Sequence, residues 1–533
     1  MKKILYIIIS VLIVTAAIGM VWFKKMEDSM DQIKLQYENE VISSVARPLD
    51  FSPVDEALSL QSQEEKNRVR GLVLGKAVTD VQSLVKEQKI TVEEILLLYA
   101  ERIKTYDGYY HSVIQLNPLA LEEARALDRR IQSGEPVGEL AGIIVLVKDN
   151  VSALNMNTTA GSYALKDLTT SRDAFVVKQL KNKDAIILGK NNLSEWSNFM
   201  SMPSSNGFSA LGGQTKNAYG QYDVGGSSSG PAVASAMNFA SVTIGSETAG
   251  SLIYPAGQNS VVAIKPTLGL LSRDLVIPIS EAQDTLGVMG RTVTDVYQVF
   301  KASIGVDESD LKHDVASIFL KQSMPETLSK SYLSGKRIGI LDVQSDAYDQ
   351  LISELELLGA TVVQVEMDES ALDIDMMTVL NYGIVNDLAA YLNNESVHTS
   401  FNSLAEIHEF NTKEMDIRMP YGDKLHEMAL GEAISPEVAE TTAEKNRMVA
   451  KEAINHLMDK YKVDVLASFS NELSGVYAPA GYPALTVPAG YKESGEPYGV
   501  TFVAKELEDV KLFQAGYAYE QGTGHRRPTA PTN

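Results

Sequence analysis

Short apolar runs rich in β-branched residues recur along this chain, separated by stretches with helical spacing. Ile143–Val147, Ala185–Leu188 and Val242–Ile244 are continuous apolar segments, and KRIGILDV (336–343), ATVVQVEM (360–367), VDVLAS, YPALTVPAGY and PYGVTFVAK follow later. Runs of this kind suit strands buried on both faces. Between them, Thr79-Asp80 precedes VQSLVKEQ, and Thr91 with Glu94 forms a capping box for VEEILLLYAERIKTY. A side-chain oxygen before a helix satisfies its first free N–H groups, so both sites predict helix starts. Further helices are expected over about 118–133, where Gly134 stops the pattern, over 348–358, and over 443–462. Strand and helix alternate without an internal repeat or a linker that divides the core, which predicts a single α/β domain.

The two ends of the chain differ from this pattern. Ile4–Phe23 carries no charge and has Lys2, Lys3, Lys24 and Lys25 on its flanks. About twenty apolar residues at helical rise match the hydrocarbon thickness of a bilayer. An uncleaved N-terminal transmembrane anchor over residues 1–25 is expected, with a cleaved signal segment as the competing reading. The domain would then face outward from a single-pass anchor in the cell membrane, outside the cytoplasm. Residues 26–77 are polar and read as a stalk or peripheral helices, residues 78–520 as the globular domain, and residues 521–533 as a disordered tail.

Composition narrows the chemistry. The chain has 533 residues, 44% of them hydrophobic, and a formal net charge of −22. Phosphate backbones are bound by clustered Lys and Arg, so a nucleic-acid partner is not expected. The absence of cysteine excludes disulfides, thiolate metal sites and cysteine nucleophiles. The seven histidines form no metal-binding spacing, and His111, His408 and His456 fall in expected helices. No metal and no cofactor are expected.

Candidate nucleophiles concentrate in GGSSSGPAVASAMNFASVTIGSETAGSLIYP (225–255). Two small-residue loops with Gly-Ser steps flank a segment able to form a helix and a strand. Glycine lets backbone approach a reacting group closely, and such loops can present a serine hydroxyl beside free backbone N–H groups. Ser228 also sits at the centre of a G-x-S-x-G pattern, but a nucleophile elbow needs an apolar strand before it, and NAYGQYDV is polar. Lys148 ends the apolar run 143–147. A lysine at such a position is ordinarily a surface residue whose stem follows the apolar surface.

Taken in order, the motifs resemble the amidase signature family. AGIIVLVKDN is similar to the family's lysine strand, and TTAGS, GKNNLSEWSNF and GGSSSG follow in family order. GSETAGSLIYPA resembles the nucleophile loop, IKPTLGLLS and DTLGVMGRTVTD the segments after it, and YPALTVPAGY the C-terminal strand. The resemblance runs from about residue 79 to residue 519. It implies an α/β fold with a mixed central sheet wrapped by helices. It also implies a Ser-cisSer-Lys triad made of Ser251 as nucleophile, Ser227 after a cis peptide as middle serine, and Lys148 as base. The 24-residue separation of Ser227 and Ser251 agrees with the family spacing. Backbone N–H groups of Thr248, Ala249, Gly250 and Ser251 would form the oxyanion hole.

This implies a membrane-tethered serine amidohydrolase that cleaves a small-molecule carboxamide C–N bond through an acyl-enzyme. A lysine acts as base only when its amine is neutral, and burial lowers its pKa. Two departures stand out: Ile253 occupies a position where the family usually has Arg, and Glu247 one where it often has Asp. Loss of that positive charge bears on loop order and substrate preference. A catalytically impaired binding protein of this fold and a tRNA-dependent amidotransferase A-type subunit are the alternatives, and a homodimer is left open.

Overall fold

The structure is a computed structural model that describes residues 46–201, 204–341, 345–367 and 373–529. Its centre is one eleven-stranded mixed sheet. The strands are β1 (Val113–Leu116), β2 (Ile144–Lys148), β3 (Ile186–Asn191), β4 (Val242–Glu247), β5 (Val262–Lys265), β6 (Thr285–Gly290), β7 (Arg337–Leu341), β8 (Thr361–Val365), β9 (Val465–Phe469), β10 (Ala484–Tyr491) and β11 (Pro497–Val503). Their order across the sheet is β1-β3-β2-β4-β6-β5-β10-β11-β9-β7-β8. β2 pairs in parallel with both β3 and β4, whereas β6 runs antiparallel to β4.

The apolar runs become strands because both faces of the sheet are covered. Along β2 the side chains alternate: Val145 and Val147 enter one core, and Ile144 and Leu146 enter the other. This is the period-two arrangement of a strand with apolar neighbours on each side. The capping box at Thr91 and Glu94 forms as expected, opening the helix Val92–Tyr110. The helix after Ala77 starts differently. Its first N–H, from Val78, donates to Asp295 Oδ1 across 2.8 Å, so a distant carboxylate replaces the local cap.

The fold differs from expectation at both ends. The membrane-spanning helix expected over Ile4–Phe23 lies outside the described residues, and none of the helices described is long and apolar enough to cross a membrane. The fold class is therefore corrected to the single α/β domain alone. Its longest helix, Pro436–Tyr461, buries only a stripe that includes Ala439, Ala450, Ile454 and Leu457 and carries charges elsewhere. Before residue 78, the helices Ser52–Leu60 and Gln63–Val73 are packed parts of the domain, with Val54, Leu58, Val69 and Val73 in its core. At the other end, the chain stays ordered to Thr529, whose hydroxyl donates to Ala236 O at 3.1 Å, and Arg527 lies over the Tyr491 ring.

Candidate active site

Lys148 is the last residue of β2, and its side chain is fully buried. Its amine lies 2.7 Å from Ser227 Oγ, 2.9 Å from Ser246 Oγ and 3.4 Å from Ser246 O. Burial pushes the ammonium down to about 7, against the carboxylates of Asp284 and Glu247, which favour the charged form. The neighbouring Asp149 does not neutralise Lys148, because it pairs with buried Lys190 at 3.1 Å. Among the described residues no carboxylate lies within ion-pair distance of the Lys148 amine.

Ser227 sits just before the helix Ser229–Ala236, after a cis peptide bond to Gly226. Its carbonyl accepts Ser194 N–H at 3.0 Å. A side chain at Gly226 would meet Asn206 Oδ1 and Ser194 Oγ at 2.5 Å, which explains the glycine. Ser228, the centre of the G-x-S-x-G pattern, is fully buried and donates its hydroxyl to Ser246 O at 2.9 Å. It serves the packing of this loop against β4. Its backbone N–H reaches Ser251 O at 3.1 Å and so ties the two serine loops together.

The loop Thr248–Leu252 continues from β4. Ser251 retains slight exposure, and Gly250 adopts φ +86°. Among the described residues, the N–H groups of Thr248, Ala249, Gly250 and Ser251 donate to no protein acceptor. The loop is held from outside. Glu247 Oε2 accepts the N–H groups of Leu252 and Ile253 at 2.8 and 3.1 Å. Gln283 Nε2 donates to Thr248 O at 2.9 Å, and the Thr248 hydroxyl donates to Asp284. The β4–β6 register explains these contacts, because Glu247 faces Thr285 and sets residues 283–284 beside Thr248.

Glu247 thus organises the loop where the resemblance raised doubt about its order. Ile253 is fully buried in an apolar cluster with Leu473, Tyr477, Ala484 and Val503. Gln283, Asp284, Ser246 and Asn150 escaped the sequence reading as site residues. Asn150, Ser246 and Asp284 lie inside motifs quoted for other residues, whereas Gln283 stands just before one of them and carried no signal.

Three voids adjoin this region. One of about 10 Å³ is bounded by Asn150, Ser246, Thr248 and Asp284. It shares Arg273 and Asp284 with a void of about 170 Å³, which in turn shares Arg273 and Asp387 with one of about 740 Å³. Arg273 forms a two-pronged ion pair with Asp310, at 2.9 and 2.6 Å, on the wall common to all three.

With the geometry in view, comparison with known proteins is decisive. The family model described as Amidase matches residues 94–473. The chain belongs to the amidase signature family. As a member it is a hydrolase of carbon–nitrogen bonds in amides. It is 36% identical over 464 residues to a protein of Arabidopsis thaliana described as a probable amidase, covering 85% of this chain and 90% of that protein. Among solved structures, an amidase family protein from Bacillus anthracis superposes with a TM-score of 0.85 at 35% identity, covering 90% of this chain and 96% of that one. The peptide amidase of Stenotrophomonas maltophilia gives a TM-score of 0.78 at 36% identity, covering 85% and 98%.

Proposed function

We propose that this amidase uses Ser251 as nucleophile, Ser227 as proton relay and Lys148 as base. The observation that carries the reading is the Lys148 amine, buried, 2.7 Å from Ser227 Oγ and with no carboxylate at ion-pair distance among the described residues. Neutral Lys148 takes the Ser227 proton while Ser227 takes that of Ser251. Ser251 Oγ bonds to the carbonyl carbon, and the carbonyl electrons move onto oxygen, where free N–H groups of residues 248–251 receive them. Collapse breaks the C–N bond, and the relayed proton leaves with the amine. Water then enters by the same relay and cleaves the acyl-enzyme to a carboxylic acid, restoring Ser251.

The substrate proposed is a small carboxamide, with peptide amides the first class to try because the Stenotrophomonas maltophilia relative is a peptide amidase. A panel of primary amides and peptide amides, followed by ammonia release, tests this. Wild-type turnover with loss in Ser251→Ala, and fluorophosphonate labelling confined to Ser251, are the expected results. Labelling that persists in Ser251→Ala would remove Ser251 from its role.

A further inference from the structure

A proton relay through two serines needs both hydroxyls held in register, because a displacement of about 1 Å can cost about a hundredfold in rate. Ser227 and Ser251 stand on different loops, and the chain segments that carry them meet at a seam. Gly225, at φ +70°, lies so close to the chain beyond Ser251 that a Cβ there would come within 2.6 Å of Pro255 Cα. Gly225 stands just before the Gly226-Ser227 step, and Tyr254 follows Ser251 in the short helix Ile253–Gln258.

Asp223 bridges this seam with its two carboxylate oxygens. Oδ1 accepts the Gly225 N–H at 2.8 Å, and Oδ2 accepts the Tyr254 hydroxyl at 2.7 Å. Both oxygens also accept Asn206 Nδ2, at 3.1 Å. A carboxylate only accepts, so the Asn206 NH₂ group faces it, and Asn206 Oδ1 is left to accept Asn198 Nδ2 at 3.0 Å. Asn206 Oδ1 and Asn198 Nδ2 lie 2.5 and 2.7 Å from where a Cβ on Gly226 would stand, so this pair walls the residue before Ser227. Asn198 closes a turn in which Trp196, Ser197 and Asn198 have φ of 50°, 55° and 70°, a conformation that persists only where surrounding contacts impose it. One carboxylate thus reaches the Ser227 loop directly and through Asn206, and the helix after Ser251 through Tyr254.

We infer that Asp223 is a positioning residue that clamps the Ser227 and Ser251 loops and holds their hydroxyls in register for proton transfer. This rests on the Lys148-Ser227-Ser251 reading above. Other bonds stitch the same seam: Asn259 Nδ2 donates to Val224 O at 2.8 Å, Gln258 Nε2 to Asp223 O at 3.2 Å, and Ser228 N–H to Ser251 O at 3.1 Å. The loops therefore stay paired when the carboxylate is removed, and what is lost is their alignment.

The test compares Asp223→Ala, Tyr254→Phe, the double variant and Lys148→Ala in the full chain, using the carboxamide turned over fastest in the panel. Melting curves establish folding first. In both single variants kcat should fall about 10- to 100-fold, with KM nearly unchanged. The double variant should be no slower than Asp223→Ala, because the Tyr254 bond is already gone there. The acid limb of kcat/KM should stay at its wild-type position, since the charged groups around Lys148, namely Asp284, Glu247 and the Asp149–Lys190 pair, are untouched. A purely structural role would instead loosen the site and admit water to Lys148, moving that limb up toward the ordinary lysine range and raising KM.

Wild-type kcat in either folded single variant overturns the inference. Losses that multiply in the double variant overturn it too, as does a limb that climbs. If Asp223→Ala does not fold, Tyr254→Phe decides alone, and a reduced kcat with an unmoved limb supports the clamp. An inactive Lys148→Ala beside wild-type turnover in Asp223→Ala refutes this inference alone. An active Lys148→Ala refutes the triad reading beneath it, and this inference with it.

Discussion

Replacing Lys148 by Met separates the proposed catalytic role from stability, because a buried amine that serves as base would do so at a cost in folding. Its pKa falls from 10.5 to about 7 on folding. The unfolded chain therefore binds more protons than the folded chain between these values, and stability from this group rises with pH across that window. Below about pH 7 the full penalty applies, which at 1.36 kcal/mol per unit is about 5 kcal/mol. Methionine removes that penalty but also loses the hydrogen bonds to Ser227 and Ser246, worth about 1 kcal/mol each. The Lys148→Met protein should therefore be about 2–3 kcal/mol more stable than wild type at pH 6. By pH 10 the advantage should be gone, since little of the ammonium penalty remains there. Denaturant unfolding at pH 6, 8 and 10 measures the difference, with thermal melts as a check. Activity should fall by about 10²- to 10⁴-fold, the range for loss of a general base. In the wild type, kcat/KM should drop tenfold per pH unit below an inflection near 7. A variant equally destabilised at every pH, or a wild-type acid limb far from 7, would refute the account of a desolvated neutral amine.

Other expectations follow from neighbouring contacts. Gly250→Ala places a Cβ 2.7 Å from Asn471 Nδ2 at φ +86°, so the loop must shift; kcat should fall about 10²-fold or more, as when an oxyanion donor is lost, with KM less affected. Burial pushes Glu195 up to about 8. The folded chain then holds a proton that the unfolded chain releases, and this group's contribution to stability falls from about pH 4.5 to 8. Glu195→Gln should flatten the decline in melting temperature over that window, and an unchanged slope would exclude Glu195 as its source. Glu247→Leu removes the acceptor of the Leu252 and Ile253 N–H groups; with two buried donors unpaired, a loss of about 2–4 kcal/mol in denaturant unfolding is expected. Stability within 0.5 kcal/mol of wild type would show that the loop is held elsewhere.

Much of the molecule can be read from local pattern. The apolar runs at 143–147, 185–188 and 242–244 became adjacent strands, and Thr91 with Glu94 started the helix they predict. These elements are legible because burial on both faces and helix capping act over a few residues. The serine loops were visible for the same reason, as small residues at fixed spacing. The beginning of the domain was placed too late because Val54, Leu58, Val69 and Val73 are widely spaced among polar residues, and their packing on the helix Val92–Tyr110 is a tertiary event.

Residue types, spacing and motif order were enough for the family, the alternation of strand and helix, and the nomination of Lys148, Ser227 and Ser251. Pattern could not say that Lys148 is wholly enclosed, that Asp149 turns to Lys190, or that Asn150, Ser246 and Asp284 gather around the amine and the loop. Those outcomes depend on which strands become neighbours and in what register: β2 beside β4 brings residue 148 to 246, and antiparallel β6 brings 284 to 248. Contacts across about a hundred residues are fixed when the whole sheet closes and excludes water, and the same exclusion sets the charge on the lysine.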